Sequence, residues 1–77
     1  MTEADRIRWR CRRGLLELDL ILQRFLEGQY QGLSPEERAV FDELLEQPDN
    51  DLLDWALGRC EPPQARFRAV VSRLQGI

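Results

Sequence analysis

An arginine and a glutamate stand four positions apart in the segment Arg13-Gly14-Leu15-Leu16-Glu17. If a helix begins near Gly14, both side chains project to solvent from its N-terminus, where the helix dipole favours the acid. Arg13 would then offer a planar fork of donors to a carboxylate or phosphate, and Gly14 would allow a partner to approach closely. The alternative is a surface pair worth roughly a few tenths of a kcal/mol. The residues alone leave both interpretations open.

Trp9 lies among arginines, since its helical neighbours at i±3 and i+4 are Arg6, Arg12 and Arg13. Trp and Arg are enriched at the centres of protein interfaces, so this segment indicates a surface that anchors a protein partner. The alternative is that Trp9 folds back onto the core. Five arginines near the N-terminus of a chain with net charge -3 make a weak footprint for nucleic acid, which is therefore not expected as a partner.

The sequence contains no grouping typical of catalysis. All 11 basic residues are Arg and there is no His, which removes the usual general base, the commonest metal ligand and any Schiff-base lysine. Adjacent acids such as Glu36-Glu37 are also typical of helix N-termini, and residues 49–54 lack the Gly and final Glu of a calcium loop. Cys11 and Cys60 form no metal or redox motif. We therefore predict neither an enzyme nor a metal site.

Charge is distributed unevenly along the chain. Residues 1–13 carry a balance of +3 and the remaining residues a balance of -6, which makes the molecule a dipole with a basic N-terminal arm. No segment resembles a secretory signal, and no apolar stretch approaches the roughly 20 residues of a membrane span. These features predict a cytoplasmic protein with free thiols and no membrane insertion.

Apolar spacing predicts five helices and no strand, in a single domain over residues 1–77. The first helix covers roughly residues 2–12 and the second roughly 15–27, with Leu16, Leu20 and Ile21 widening the apolar face of a central helix. The third helix is expected to begin in the capping box Ser34-Pro35-Glu36-Glu37. The fourth is expected to follow a cap at Asp49 or Asn50, and Pro62-Pro63 is expected to open the fifth. Gly58 is expected to stop the fourth helix. The predicted fold class is all-α, a compact five-helix bundle.

The same N-terminal segment resembles a known family. The pattern Arg6-Ile7-x-Trp9-x-Cys11-Arg12-Arg13-Gly14-x-x-Glu17-Leu18-Asp19 is similar to the N-terminal signature of the succinate dehydrogenase assembly factor 2 family, the bacterial SdhE-type flavinylation factors. The hallmark of that family is an RGxxE motif, matched by Arg13, Gly14 and Glu17. Further similarity lies at Phe25-Leu26-Glu27, Tyr30, Leu33-Ser34, Phe41, Leu44-Leu45-Glu46, Pro48-Asp49 and Leu53-x-Trp55, so that it covers about residues 6–58.

The resemblance implies a five-helix fold and a role as an assembly factor. Members bind the flavoprotein subunit of succinate dehydrogenase, and often that of fumarate reductase, and promote covalent attachment of FAD to that subunit. The residues expected to face the client by motif match are Arg13, Gly14 and Glu17, with Trp9, Arg12 and Asp19 as further candidates. FAD would belong to the client, because no nucleotide-binding motif is visible here. We expect a monomer, and the alternative function is an antitoxin-like regulator of another cytoplasmic or membrane-associated partner.

Overall fold

The computed structural model describes residues 2–75, except for the side chains of Glu3 and Ala4. Over that range the chain forms five α-helices and one 3₁₀ turn, and it contains no strand. These elements are α1 (Glu3–Arg10), α2 (Leu16–Gly28), the 3₁₀ turn Tyr30–Gly32, α3 (Pro35–Leu44), α4 (Asp49–Ala56) and α5 (Ala65–Gln75). The prediction of an all-α fold with five helices is confirmed.

Local capping decides where two of the helices begin. The hydroxyl of Thr2 accepts the N–H of Asp5 at the start of α1, and the hydroxyl of Ser34 accepts the N–H of Glu37 at the start of α3. In both cases the acid reaches back to the capping residue, so each helix opens with a complete capping box. The predicted capping box at Ser34 is therefore confirmed.

The start of α4 differs from the prediction. Pro48 is the N-cap residue and Asp49 is the first residue of the helix, which has no side-chain cap. The expected cap at Asp49 or Asn50 is therefore wrong, because the carboxylate of Asp49 bonds elsewhere in the molecule. Gly58 follows α4 with φ +76°, a conformation that glycine adopts without strain, and the predicted stop there is confirmed.

The core forms where α2 and α5 meet the other helices. α2 packs against α4 and α5, while α5 also packs against α3 and α4. The rings of Phe25 on α2 and Phe41 on α3 lie 4.9 Å apart between centroids, and both are fully buried. Burial of such a ring stabilises the fold by about 1.5–3 kcal/mol. α1 contributes Ile7, and Cys11 follows it into the same core.

The apolar face of α2 is narrower in the fold than the sequence suggests. Leu18, Leu22 and Phe25 are buried, as predicted. Leu16, however, is 76% exposed and Leu20 is 43% exposed, so the expectation that they widen a covered face is wrong. Ile21 is partly buried against the core, as expected, whereas the two leucines form part of the surface next to α1.

Candidate functional site

The RGxxE motif begins in a short connection between α1 and α2, residues 11–15, which we call the motif loop. Gly14 has φ +86°, a left-handed conformation that favours glycine. The carboxylate of Asp19, one turn into α2, accepts the N–H of Arg13 at 2.7 Å and the N–H of Gly14 at 3.2 Å. Because Leu15 provides no side-chain cap for α2, Asp19 is the residue that fixes the loop at the start of that helix.

The guanidinium of Arg13 points into the molecule. Its Nε donates to Oδ1 of Asp49 at 2.7 Å, and its Nη2 donates to the carbonyl oxygen of Gln47 at 3.0 Å. Its Nη1 donates to the carbonyl oxygens of Leu45 at 2.6 Å and Arg10 at 3.3 Å. The side chain is only 17% exposed. The expectation that Arg13 projects to solvent is therefore wrong, because its donors bind groups of its own chain.

Glu17 lies as predicted, exposed in the first turn of α2. Among the described residues it has neither a hydrogen bond nor an ion-pair partner. In particular, it does not pair with Arg13, whose guanidinium is engaged with Asp49. The motif thus separates into an inward arginine that holds the loop and an outward carboxylate that is available to a partner.

Trp9 does not fold back onto the core, since 68% of its surface is exposed. Arg12, in the motif loop, is also exposed. Neither of the two cation–π contacts found over residues 2–75 involves Trp9. An indole this exposed contributes little to folding, and Trp is the residue type most typical of binding hot spots. The alternative of a core tryptophan is therefore excluded.

A groove of about 570 Å³ runs beside Trp9, between α1 and α2. Its apolar surface includes Trp9, Leu16 and Leu20, and its polar rim includes Arg8 and Arg12. The groove therefore combines the aromatic anchor predicted from the sequence with two leucines that were expected in the core. Such a surface can bind a protein segment but contains no nucleophile or base arranged for chemistry.

Cys11 lies along this groove but is not a reactive thiol. It is buried, and desolvation by that burial raises its pKa from an ordinary value near 9 to about 12, against the smaller opposing effect of Arg13 and Arg10. The thiolate is the nucleophilic form, so we expect Cys11 to be unreactive at neutral pH in the folded protein. The described part of the chain holds no group of three or more His, Cys, Asp or Glu side chains suited to a metal ion.

Sequence reasoning missed Asp49 as the partner of Arg13, and Leu16 and Leu20 as surface residues. The sequence did contain a signal that the two leucines are exposed. Leu16 and Leu20 share one side of the helix with Gln23 and Glu27, which are polar. A stripe that ends in polar residues is typical of a partly exposed face. No local signal identifies Asp49, which lies 36 positions beyond Arg13.

Comparison with known proteins gives consistent matches. Residues 5–77 match the family Sdh5, described as the flavinator of succinate dehydrogenase. The chain is 44% identical over 72 residues to the FAD assembly factor SdhE of Coxiella burnetii, a match that covers 94% of this chain and 88% of that protein. It is 41% identical over 71 residues to the protein of the same name from Shewanella oneidensis, covering 92% and 87% of the two chains.

The fold is shared as well. The solution structure of a UPF0350 protein superimposes with a TM-score of 0.77 at 35% identity, covering 99% of this chain and 84% of that one. These matches confirm the resemblance drawn from the RGxxE segment, and they extend it through α5, beyond the residues 6–58 of the motif comparison. The Coxiella and Shewanella relatives are named as assembly factors, and the family is thus one of assembly factors and not of enzymes. Over residues 2–75, no helix is long and apolar enough to cross a membrane.

Proposed function

This chain belongs to the family of the flavinator of succinate dehydrogenase, and we propose that it is an assembly factor that binds the flavoprotein subunit of that enzyme and promotes covalent attachment of FAD to it. The related subunit of fumarate reductase is a second proposed client. The factor binds its client as a monomer in the cytoplasm, and the FAD belongs to the client. Two free thiols, Cys11 and Cys60, are consistent with a reducing compartment.

The observation that carries the proposal is the contrast within the motif. Arg13 and Asp19 are engaged in hydrogen bonds that fix the loop, whereas Glu17, Gly14 and Trp9 are exposed. The hydrogen bonds of Arg13 and Asp19 hold the backbone of the loop between α1 and α2, the two helices on which the indole of Trp9 and the carboxylate of Glu17 are exposed. Two exposed side chains on a backbone that needs no further ordering have the features of a protein-binding surface. We call the exposed residues Trp9, Arg12, Gly14 and Glu17 the motif surface.

Each candidate residue has a distinct proposed role. Glu17, Arg12 and Trp9 contact the client directly, with the carboxylate and guanidinium forming charge-assisted hydrogen bonds and the indole providing apolar contact. Nothing lies within 4 Å of a Cβ built on Gly14, so a client can approach the backbone there. Arg13 and Asp19 position the loop from inside. They support binding without touching the client.

The factor is proposed to work by differential binding. A protein that contributes no catalytic group can still accelerate a client's own reaction if it binds the reactive conformation better than the others. The shift in the client's equilibrium is then limited by the difference in binding free energy between those conformations. This mechanism needs only a surface complementary to one conformation, which the motif surface can provide.

The test is co-expression of the chain with the succinate dehydrogenase flavoprotein subunit of its host, with covalent flavin measured as in-gel fluorescence after denaturation. We expect fluorescence to rise with the wild-type chain and to fall by at least about tenfold with Glu17→Ala. Glu36→Ala is the matched control, because Glu36 is an exposed acid at the second position of α3 as Glu17 is in α2. It should retain the wild-type level.

The outcomes separate the function from the site. If the folded wild-type chain leaves flavinylation unchanged, the assembly role is wrong and the motif surface serves another protein partner. If both glutamate variants behave like the wild type, the role stands but Glu17 is not a contact residue. Circular dichroism of each variant checks that the fold is retained.

A further inference from the structure

Exposed apolar side chains are concentrated at one place on the molecule. Over the described residues, four large hydrophobic residues are exposed, and three of them, Trp9, Leu16 and Leu20, line the groove between α1 and α2. The fourth, Leu57, lies at the C-terminal end of α4. Single exposed leucines are common, but a tryptophan and two leucines along one concave surface indicate a site for an apolar partner group.

The acids and the arginines of the groove differ in how far they are hydrogen-bonded within the chain. Its acids already accept hydrogen bonds within the chain, Asp5 from the N–H of Thr2, Asp19 from the motif loop and Glu27 from the amide of Gln23. The side chains of Arg8 and Arg12 make no hydrogen bond or ion pair with any described residue. Elsewhere six arginines are paired, namely Arg10, Arg13, Arg59, Arg66, Arg68 and Arg73. Arg8 and Arg12 are therefore the charged side chains of the groove whose hydrogen-bonding groups are entirely unused within the described chain, whereas each of its three acids already accepts at least one bond.

We propose that the groove receives a segment of the flavoprotein client in which apolar side chains are flanked by Asp or Glu. The apolar side chains pack on Trp9, Leu16 and Leu20, and the carboxylates bind the guanidinium groups of Arg8 and Arg12. This inference rests on the proposed function and extends the motif surface by a second contact region, since Trp9 and Arg12 belong to both. It also assigns a role to Arg8 and Leu20, which lie outside the RGxxE motif, and to Leu16, which stands at the second x of the motif.

The apolar contact is tested by a matched pair of variants, Leu20→Asp and Leu57→Asp. The two leucines have nearly equal exposure, 43% and 40%, but only Leu20 lines the groove. We expect Leu20→Asp to weaken binding of the purified flavoprotein subunit by at least about tenfold, while Leu57→Asp stays within about twofold of the wild type. Equal effects of the two substitutions would overturn the proposal.

The charged contact is tested with Arg8→Glu/Arg12→Glu. The single variants Arg8→Glu and Arg24→Glu form a matched comparison, because Arg24 is an exposed arginine of α2 that lies outside the groove and has no hydrogen bond or ion pair with a described residue. The affinity for the client should fall steeply in the variants of Arg8 and Arg12, and their residual affinity should depend less on salt concentration than that of the wild type. Arg24→Glu should bind as the wild type does. An equal loss of binding in Arg8→Glu and Arg24→Glu would contradict a direct contact between Arg8 and a carboxylate of the client.

The occupant is identified by placing a photo-crosslinking amino acid at position 20 and mapping the crosslinked peptide by mass spectrometry. We expect a client peptide with acidic residues within about one or two helical turns of an apolar one. A basic client peptide, a second copy of this chain or no crosslink to the client would each overturn the proposal. Position 57 is the control position and should give no client crosslink.

Different results would contradict the proposed function and the assignment of the groove. If the wild-type chain does not bind the flavoprotein subunit, the proposed function is wrong and the groove assignment falls with it. If the wild type binds and Glu17→Ala weakens binding while Leu20→Asp and the Arg8 and Arg12 variants do not, only the groove assignment is wrong. The variants alter exposed side chains, and thermal unfolding followed by circular dichroism verifies that each is folded.

Discussion

Arg13 and Asp49 form an ion pair in which the guanidinium Nε lies 2.7 Å from a carboxylate oxygen. Asp49 is the first residue of α4, where the helix dipole favours an acid. The same guanidinium donates to the carbonyl oxygens of Leu45 and Gln47, in the connection between α3 and α4. One side chain of the RGxxE motif therefore ties the α1–α2 connection to the α3–α4 connection.

Replacement of Arg13 should destabilise the fold. Arg13→Ala removes charge-assisted donors from a carboxylate and from carbonyl groups in a largely desolvated position, so the free energy of unfolding should fall by about 2–4 kcal/mol. Arg13→Lys keeps the charge but loses the planar fork, and it should still lose about 1–2 kcal/mol. Urea denaturation at neutral pH measures both. A change below about 0.5 kcal/mol for Arg13→Ala would show that these bonds do not hold the loop.

A double-mutant cycle of Arg13→Ala and Asp49→Ala isolates the ion pair. We expect a coupling free energy of about 1–2 kcal/mol, lower than for a fully buried pair because the carboxylate of Asp49 keeps some contact with water. Additive effects would assign the stabilisation to the carbonyl contacts alone. Flavinylation by any Arg13 variant has to be compared with the wild type at equal concentrations of folded protein, since loss of fold would mimic loss of client contact.

A glycine should be required at position 14 for two reasons, the backbone conformation there and the approach of the client. With φ at +86°, an L-residue is strained there although space is open around it, so Gly14→Ala should lower the free energy of unfolding by about 1–2 kcal/mol. Gly14→Arg should cost a similar amount and also place a long cation where the client approaches. Its loss of client binding should therefore exceed that of Gly14→Ala, which denaturation and binding measurements on both variants would show.

Gly28→Ala is the control for this substitution. Gly28 ends α2 with a right-handed backbone and open space beside it, so alanine there should leave stability unchanged or raise it by up to about 1 kcal/mol. Equal losses at positions 14 and 28 would argue against backbone strain as the cause.

The helices could be predicted where local chemistry decides them. Ser34 and Glu37 form their capping box within four residues, and Gly58 ends α4 through its own backbone, so neither feature depends on distant contacts. The exposure of Leu16 and Leu20 has only an indirect signal in the sequence, the polar Gln23 and Glu27 that continue their stripe. An apolar face on a helix does not reveal whether a neighbour will cover it, and that depends on how α1 and α2 come together.

The candidate residues of the site could be named from the sequence, but their contacts in the fold could not. The spacing of Arg13 and Glu17 favours a local pair, and it contains no information about Asp49, which is brought to Arg13 by the packing of α4. Trp9 was equally compatible with core and surface, because its environment depends on the angle at which α1 leaves the bundle. The fold also shows that Leu16 and Leu20 are exposed and that they line one groove together with Trp9.

Glu37 should give the protein part of its resistance to acid. A hydrogen bond from the backbone N–H of Ser34 is the main effect that holds the pKa of Glu37 below its usual value, and the guanidinium of Arg73, 3.2 Å away, acts in the same direction. Because the pKa is lower in the folded state, the stabilisation is present above the unfolded pKa and is lost as the pH falls through the folded value.

The stability difference between the wild type and Glu37→Gln should therefore shrink as pH falls below about 4.3. Denaturant midpoints measured from neutral pH down to about pH 2 test this. Glu36→Gln, which alters the exposed neighbour and leaves the capping box in place, should follow the wild-type curve. A Glu37→Gln curve parallel to the wild type over the whole range would remove Glu37 from the acid response.

The two thiols should differ sharply in reactivity. Cys60 is exposed, whereas Cys11 is buried with its pKa raised to about 12. With Cys60→Ser as background, iodoacetamide at about pH 8 should label Cys11 only when denaturant is added, because the folded protein contains almost no thiolate at that position. The same raised pKa predicts that stability is intact below about pH 9 and falls above it, by as much as about 1.4 kcal/mol per pH unit, as the unfolded thiol ionises and the folded one does not.

Labelling of native Cys11 at the denatured rate would mean that α1 detaches from the core on the timescale of the reaction. That result would bear directly on the motif loop, because Cys11 begins the loop and its burial fixes the end of α1 against the bundle. Intermediate labelling that slows when the flavoprotein subunit is added would instead show that client binding holds α1 in place. Cys60, measured in Cys11→Ala, should be labelled readily without denaturant, since it is exposed in the fold.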